Sequence, residues 1–386
     1  MITTINNKHK KLNVPNLRFK EFQGEWRRSK FKKVITLQRG SSPRPIIKYI
    51  TTSTDGVNWI KIGDMPHFGR IVTSTEEKIT REGAKKSRLV KKGDLILSNS
   101  MSYGLPYIMG IDGYIHDGWF VLKDFEDTFD KDYLCNLLIS SAIQNQYKRL
   151  AAGGVVQNIS SDLVNSVSVS IPLMEEQKKI SSLLNLIDDR IATQNKIIDN
   201  LQSLIRGIRN EVFGKLRKTV GFNAIIGDVL SYEQPQSYIV EDTEYTNEGT
   251  PVLTANKAFV LGYTSETDGV YDKGDCIIFD DFTLDCKYVD FSFKVKSSAI
   301  KILTAKNKEL LRYTFEFLKH LDLSTDEHKR HYIAETQNQS FILPNAEMIE
   351  IIAHTFSALS LQMQYAIKQR NKHEEQKLYL LRQMFI

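Results

Sequence analysis

Cysteine is almost missing from this chain: three residues in 386, Cys135, Cys276 and Cys286, with no CxxC pair among them. An odd number without ligand spacing excludes a disulfide framework and a thiolate zinc site, and it suits a reducing compartment. No apolar run approaches the ~18 residues of a membrane span, and the opening MITTINNKHKK has no apolar signal core. We therefore expect a cytoplasmic chain, neither secreted nor inserted in a membrane. Catalytic signatures are missing as well. GxxxxGK[ST] does not occur, so no P-loop cradles a phosphate. Neither Asn-Pro-Pro nor Asp-Pro-Pro occurs, the kind of motif amino-methyltransferases set beside a flipped base. HExxH and Cys/His clusters are also absent, which leaves no metal site of those types. These absences predict a non-enzyme that holds no cofactor of its own.

What is present is a globular composition, 41% hydrophobic and 25% charged, long enough for two to three domains. The net charge of +6 is unevenly spread. Residues 1–48 hold 13 Lys/Arg against 2 Glu, whereas residues 221–290 hold 14 Asp/Glu against Lys257, Lys273 and Lys287. A basic end reads either as a contact for a polyanion such as nucleic acid or as a solvated arm. Two clusters offer chemistry of another class. Asp275, Asp280, Asp285 and Lys287 could hold a divalent ion in a nuclease, although acid-plus-lysine triplets also arise by chance. His328 and His331 in HKRH are either paired ligands or part of a polar basic loop.

The informative feature is a repeat of long period. From Ile171 to Lys215, apolar residues fall at Leu183, Ile187, Ile191, Ile198, Leu201, Ile205, Ile208 and Val212, with Gln194 as the one polar step. Steps of three and four make a seam of about 3.5 residues per turn, that of a coiled coil. Pro172 is expected in the first helical turn, with Glu175 and Glu176 facing the helix dipole. Shifted by 172 residues the pattern returns: Leu343-Pro344, Glu347, Ile352, Leu359, Met363, Ala366, Leu380, Met384 and Phe385. Arg370, His373 and Lys377 make the middle of the second helix more polar. Two helices of about 40 residues, ~60 Å each, cannot bury such seams alone, so we expect them to pack on each other or on a partner. Lys92-Gly93-Asp94 and Lys273-Gly274-Asp275 each precede a buried strand, 181 residues apart. Gln157-Asn158-Ile159-Ser160 and Gln337-Asn338-Gln339-Ser340 match at 180. The predicted fold class is α+β, two tandem mixed units separated and followed by long helices.

VPNLRFKEFQGEW (14–26), NWIKIGDM (58–65), KKGDLILSNS (91–100), GGVVQNIS (153–160) and above all IPLMEEQKKISSLLNLIDDRI (171–191) resemble the specificity (S) subunits of type I restriction–modification systems. PVLTANKAFVLGYT (251–264) and the stretch 277–303 are similar to one subtype of second recognition domain in that family. The resemblance covers nearly the whole chain. It implies target-recognition domains at 1–170 and 216–342, with helices at 171–215 and 343–386 forming an antiparallel coiled coil in a pseudo-two-fold arrangement. It also implies a non-catalytic subunit that reads a bipartite, asymmetric sequence in double-stranded DNA. Such a subunit docks two methyltransferase (M) and two restriction (R) subunits, on which S-adenosylmethionine, ATP and Mg act.

Lysine and arginine mostly meet phosphates, whereas amides and some arginines read base edges. On that chemistry the candidate DNA contacts are Arg39, Ser41, Arg44, Lys61, Ser98, Asn99, Ser100, Tyr103, Gln157 and Asn158 in the first domain. In the second they are Asn256, Lys257, Thr283, Lys287, Lys329, Arg330, Gln337 and Asn338. Trp59 and Trp119 read as core anchors. Two other functions stay in play: a metal-dependent nuclease, and a coiled-coil scaffold that ignores DNA.

Overall fold

The structure is a computed structural model that describes residues 2–4, 12–66, 68–99, 104–151, 159–254, 259–323 and 331–386. The chain forms two compact units, residues 1–195 with 368–386, and residues 196–367.

The first unit is built on strands β1 (Thr36–Arg39), β2 (Leu95–Ser98), β3 (Pro106–Met109) and β4 (Trp119–Lys123). They lie in the order β1-β4-β2-β3, with the short strand Ile71–Val72 beside β3. All four residues of β2 are buried, as expected of an apolar run enclosed on both faces. The turn before it explains the Lys-Gly-Asp motif. Gly93 has φ +91°, a left-handed value that glycine adopts without strain, and Asp94 accepts the Lys91 N–H at 2.9 Å. A second sheet contains the parallel pair Val57–Ile60 and Gly113–Ile115. Helix α1 (Lys131–Ile139) follows, capped by the Asp130 side chain on the Tyr133 N–H. Trp59 and Trp119 are both buried.

From the first unit the long helix α2 (Met174–Thr219) leads to strands β5 (Leu230–Glu233), β6 (Cys276–Asp280), β7 (Cys286–Val289) and β8 (Ile300–Ala305) of the second unit. Their order, β5-β8-β6-β7, repeats that of the first unit strand for strand. Thr250–Leu253 and Lys294–Val295 supply the corresponding parallel pair, and Gly274, φ +95°, makes the same turn before β6. Helix α3 (Lys308–Leu321), capped by Asn307, takes the place of α1, and helix α4 (Ala346–Gln383) closes the chain. The two long helices start at Met174 and Ala346, 172 residues apart.

Each unit contains its own share of the packed helix pair. In the first, Ile180, Leu184 and Ile187 of α2 share a buried cluster with Leu380, Leu381, Met384 and Phe385; Leu183 and Ile191 pack beside them. In the second, Phe213 and Leu216 join Ile352 and Phe356, flanked by Ile205, Ile208, Val212 and Leu359. Ile198 and Ala366 are buried as well, and Leu201 and Met363 are half-buried. Each large buried apolar side chain contributes about 1.5–3 kcal/mol. Beside this cluster of seven lies a half-buried charged pair, Lys377 Nζ to Asp188 Oδ1 at 2.5 Å.

Two expectations need correcting. Pro172 is not in the first turn: Leu173 accepts the first helical bond, from the Gln177 N–H at 3.0 Å, and Pro172 lies just before it. Ile171 is still in a strand, paired with Arg27, which leaves only two residues for the change of direction. His331 is not part of a solvated loop. It is buried, with its Nδ1 2.9 Å from Glu335 Oε2.

Candidate nucleic-acid interface

In the first unit the end of β1 and the end of β2 meet at the turn His116–Gly118, just ahead of β4. Gly40 makes the approach possible, since a Cβ there would lie 2.0 Å from the His116 carbonyl oxygen. Arg39 Nε donates to the Asp117 carbonyl at 3.2 Å, and Arg44 reaches the Asp117 carboxylate at 3.3 Å. Ser41 donates its N–H to the Ile115 carbonyl at 3.3 Å, and Ser42 Oγ donates to Asp117 Oδ1 at 2.7 Å. The Ser42 hydroxyl holds the Asp117 carboxyl below the usual carboxylate range, against a smaller push upward from burial. Asn99 Nδ2 donates to the Asp117 carbonyl at 2.9 Å. His116 packs against the Trp59 and Trp119 rings; its Nδ1 accepts the Gly118 N–H at 2.8 Å, and burial lowers its pKa.

Arg39 and Arg44 are exposed at this turn and Ser41 is half-buried, while Ser98 and Asn99 are buried beneath it. Ser98 Oγ accepts the Leu105 N–H at 3.0 Å. Lys61 is elsewhere, its ammonium held by Glu77 at 2.8 Å and Glu76 at 3.3 Å, which raises its pKa. Asp117, His116 and Arg88 were missed by sequence reasoning. Arg88 donates to the Arg39 carbonyl and to Gln38 Oε1, the latter at 3.1 Å. Little in the local sequence marks them, because the contacts of Arg88 with Gln38 and Arg39, and of Asp117 with Arg39, span 49 to 78 positions. Ser100, Tyr103, Gln157, Asn158, Asn256, Lys257, Lys329 and Arg330 fall outside the described residues.

At the corresponding place in the second unit stands Asp281. Its N–H donates to the Ala299 carbonyl ahead of β8, as the Asn99 N–H donates to Gly118 ahead of β4. Its carbonyl accepts the His331 N–H, as the Asn99 carbonyl accepts that of Ile159. Ile159 and His331 are 172 residues apart, the same offset as the helix starts. The glutamine–asparagine match at 180 is therefore not a structural one. Gln337 and Asn338 sit eight positions further along, in the turn Thr336–Asn338, where their amides donate to the Ile333 and Ala334 carbonyls at 2.7 and 3.2 Å. By the 172 offset, Lys329 and Arg330 take the sequence positions of Gln157 and Asn158.

Asp281 Oδ1 also accepts the His331 and Tyr332 N–H groups, at 3.1 and 2.8 Å, and Oδ2 lies 3.4 Å from Lys301 Nζ. Asp281 and Lys301 are both buried, whereas Thr283 in the nearby β6–β7 turn and Lys287 in β7 are exposed.

The acids of the nuclease reading are spent on this turn and its surroundings. Asp280 accepts the Thr283 hydroxyl at 2.6 Å and the Phe282 N–H at 2.9 Å. Asp285 pairs with Lys319 and Lys287, which overcome the upward push of burial on its pKa, and Asp275 pairs with Tyr288 and Lys308. Among the described residues no group of three or more His, Cys, Asp or Glu could hold a metal ion, and no helix is long and apolar enough to cross a membrane. The three thiols are buried, and burial pushes them up, Cys135 to about 11 and Cys276 and Cys286 to about 12.

Comparison with known proteins agrees with this arrangement. Residues 23–203 match the family model of the type I restriction modification DNA specificity domain. The type I restriction enzyme EcoR124I/EcoR124II specificity subunit of Escherichia coli is 38% identical over 165 residues, 38% of this chain and 41% of that one. The match thus spans less than half of that relative's length. The crystal structure of a type I restriction–modification S subunit from M. genitalium has a TM-score of 0.63 at 14% identity, covering 97% of this chain and 99% of that chain. A chain in a structure describing complex assembly and conformational transition of the type I R-M system has a TM-score of 0.53, also at 14% identity, covering 92% and 96%. At such identity these two structures show the shared fold. Residues 23–203 are thus similar to the type I restriction modification DNA specificity domain, and the chain as a whole shares the fold of a solved S subunit of such a system.

Proposed function

We propose that this chain reads a bipartite, asymmetric target in double-stranded DNA, one half-site per recognition domain, residues 1–170 and 216–342. The helices at 171–215 and 343–386 separate the domains and dock two methyltransferase and two restriction subunits. S-adenosylmethionine, ATP and Mg act on those partners in the cytoplasm, and this chain holds none of them. The observation that carries the reading is the repeat: one strand order used twice, with different polar side chains, Asn99 and Asp281, at the same place in each frame. A repeated frame suits two readers of one duplex, and divergent side chains suit two different half-sites.

In this reading the exposed Arg39, Arg44, Thr283 and Lys287, with Ser41, contact DNA directly. Ser98 and Asn99 support the turn beneath them, and Lys61 is held away from phosphate by its two glutamates. Gln157, Asn158, Lys329 and Arg330 remain proposed contacts, as do Ser100, Tyr103, Asn256 and Lys257. Gln337 and Asn338 contribute their exposed edges only, since their amide N–H groups are engaged.

The test is a genome-wide map of methylated adenine in cells with and without this gene. One bipartite, asymmetric motif should vanish on deletion. Replacing residues 216–342 by the same domain of another S subunit should then change one half of the motif; a change in both halves or in neither refutes the modular reading.

A further inference from the structure

Both units place paired charge where the recognition domain meets the helices, half-buried in the first unit and buried in the second, and the acid comes from the helix in the first and from the recognition domain in the second. In the first unit Asp188 of α2 is the hub. Its Oδ1 accepts Lys377 Nζ of α4 at 2.5 Å, and its Oδ2 accepts an Arg70 guanidinium N–H at 3.2 Å. Arg70 immediately precedes the edge strand Ile71–Val72 and also donates to Asn136 Oδ1 of α1 at 3.0 Å. In the second unit the hub is Glu316 of α3, whose side chain is 1% exposed. It accepts Arg209 of α2 through two bonds of 3.0 and 2.7 Å and pairs with Arg312 at 2.8 Å. Arg312 continues to the helix α4, donating to the Phe356 carbonyl at 3.1 Å and to Ser360 Oγ. In the first unit one carboxylate of α2 ties the recognition domain and α4 together; in the second, Glu316 reaches α2 and its neighbour Arg312 reaches α4. The first domain contributes a cation, and the second contributes an acid with a cation beside it.

Such hubs are a poor way to gain stability. Desolvating the charges costs about as much as their pairing returns, and apolar side chains of the same volume do as well or better. They differ from apolar packing in being directional. Apolar contacts tolerate sliding and rotation, whereas an arginine–carboxylate pair holds one angle and one distance. We propose that the Arg70–Asp188–Lys377 and Arg209–Glu316–Arg312 hubs fix the angle of each recognition domain on its helices, and thereby the base-pair separation at which the two half-sites are accepted.

The demand on that angle is strict. One extra base pair moves the second half-site by ~3.4 Å and turns it by about a tenth of a helical turn. A loosened hub would let the domain follow such a displacement without altering its contacts with the bases.

The proposal rests on the functional reading above, so its test includes the unaltered chain as a control. Asp188→Asn, and separately the pair Arg209→Met with Glu316→Gln, are expressed with the methyltransferase subunits, and methylated adenine is mapped genome-wide. The paired substitution removes the Arg209 and Glu316 charges together, while Arg312 keeps its bonds to the Phe356 carbonyl and Ser360 Oγ and a side-chain carbonyl acceptor at position 316. We expect the half-site sequences to stay the same while spacers one base pair shorter and longer become methylated, at about tenfold or more above the control, a loss of ~1.4 kcal/mol of discrimination. Fewer marks at an unchanged single spacer would overturn the proposal. Failure of both variants to assemble would also overturn it, by making these residues structural only. A control that yields no bipartite motif would instead overturn the functional reading, and the proposal with it.

Discussion

Asp281 gives the sharpest test of how the second recognition domain is held together. Its carboxylate, buried with Lys301, serves two backbone N–H groups and one ammonium. Asp281→Asn keeps an acceptor for the His331 and Tyr332 N–H groups but leaves the Lys301 ammonium buried without its counter-charge. Breaking a buried pair in this way costs about 3–5 kcal/mol. The lower end applies here, because Lys301 keeps Gln234 Oε1 at 2.8 Å and the Tyr232 ring. Asp281→Ala also orphans the Tyr332 N–H, adding about 1–3 kcal/mol, whereas the His331 N–H keeps the carbonyl of residue 281. For a unit of this size, ~3 kcal/mol lowers the melting temperature by about 6–12 °C. The assay is thermal and urea denaturation of the full chain for both variants, for Lys301→Met, and for the double change Asp281→Asn with Lys301→Met. The double variant should be less destabilised than the sum of the singles, since it leaves no lone charge. Simple additivity, or an Asp281→Asn variant within ~0.5 kcal/mol of the parent, would refute the argument.

Three further outcomes follow from the geometry. Ser42→Ala should raise the Asp117 carboxyl toward its ordinary value. A folded pKa held below the unfolded one contributes stability that is present above about pH 4 and lost as the pH falls through the folded value. The variant should therefore lose less stability than the parent on acidification from pH 5 to 3, as measured by denaturation at each pH. Gly40→Ala should push the Arg39–Ser41 backbone off the His116 carbonyl and abolish recognition of the first half-site while sparing the second, as read by binding to duplexes carrying either half alone. Four residues inserted after Asn195 lengthen the helix by ~6 Å and rotate it by just over a turn; the mapped spacer should grow by one or two base pairs or assembly should fail, and an unchanged target would contradict a ruler.

Periodicity made the helices legible, because a seam of about 3.5 residues per turn leaves its mark over ten turns. The Lys-Gly-Asp pairs were legible for a local reason, the left-handed backbone at Gly93 and Gly274. The match of Gln157-Asn158-Ile159-Ser160 to Gln337-Asn338-Gln339-Ser340 misled because three identities in four residues carry little information, while the hydrogen-bond frame places Ile159 against His331. The polar middle of α4 looked like a weakness in the seam, yet Lys377 meets Asp188, a partner 189 residues away that no local pattern encodes. His331, set among charged neighbours in sequence, is buried for the same reason, since Asp281 and Glu335 supply its contacts. Long-range polar pairing was the part that sequence could not show.

That pairing is also where the two units part company. Their strand order, their glycine turns and the 172-residue offset through the closing helices are shared. At the one backbone position both frames use to anchor the segment returning toward the long helix, the first unit has a neutral amide and the second a buried carboxylate. Exchange of one for the other is not conservative. An amide at 281 strands Lys301, and a carboxylate at 99 sets its charge against the Asp117 carbonyl oxygen that now accepts an N–H. Each node is thus matched to its own surroundings, so the frame can repeat while the side chains around it diverge. A recognition domain transplanted whole carries its node with it. It must also meet the helix through the correct sign of charge, an acid opposite Arg209 in the second position and a cation opposite Asp188 in the first. A donor domain lacking that acid leaves Arg209 uncompensated in a largely buried site, and such an exchange should fold only when Arg209 is replaced as well.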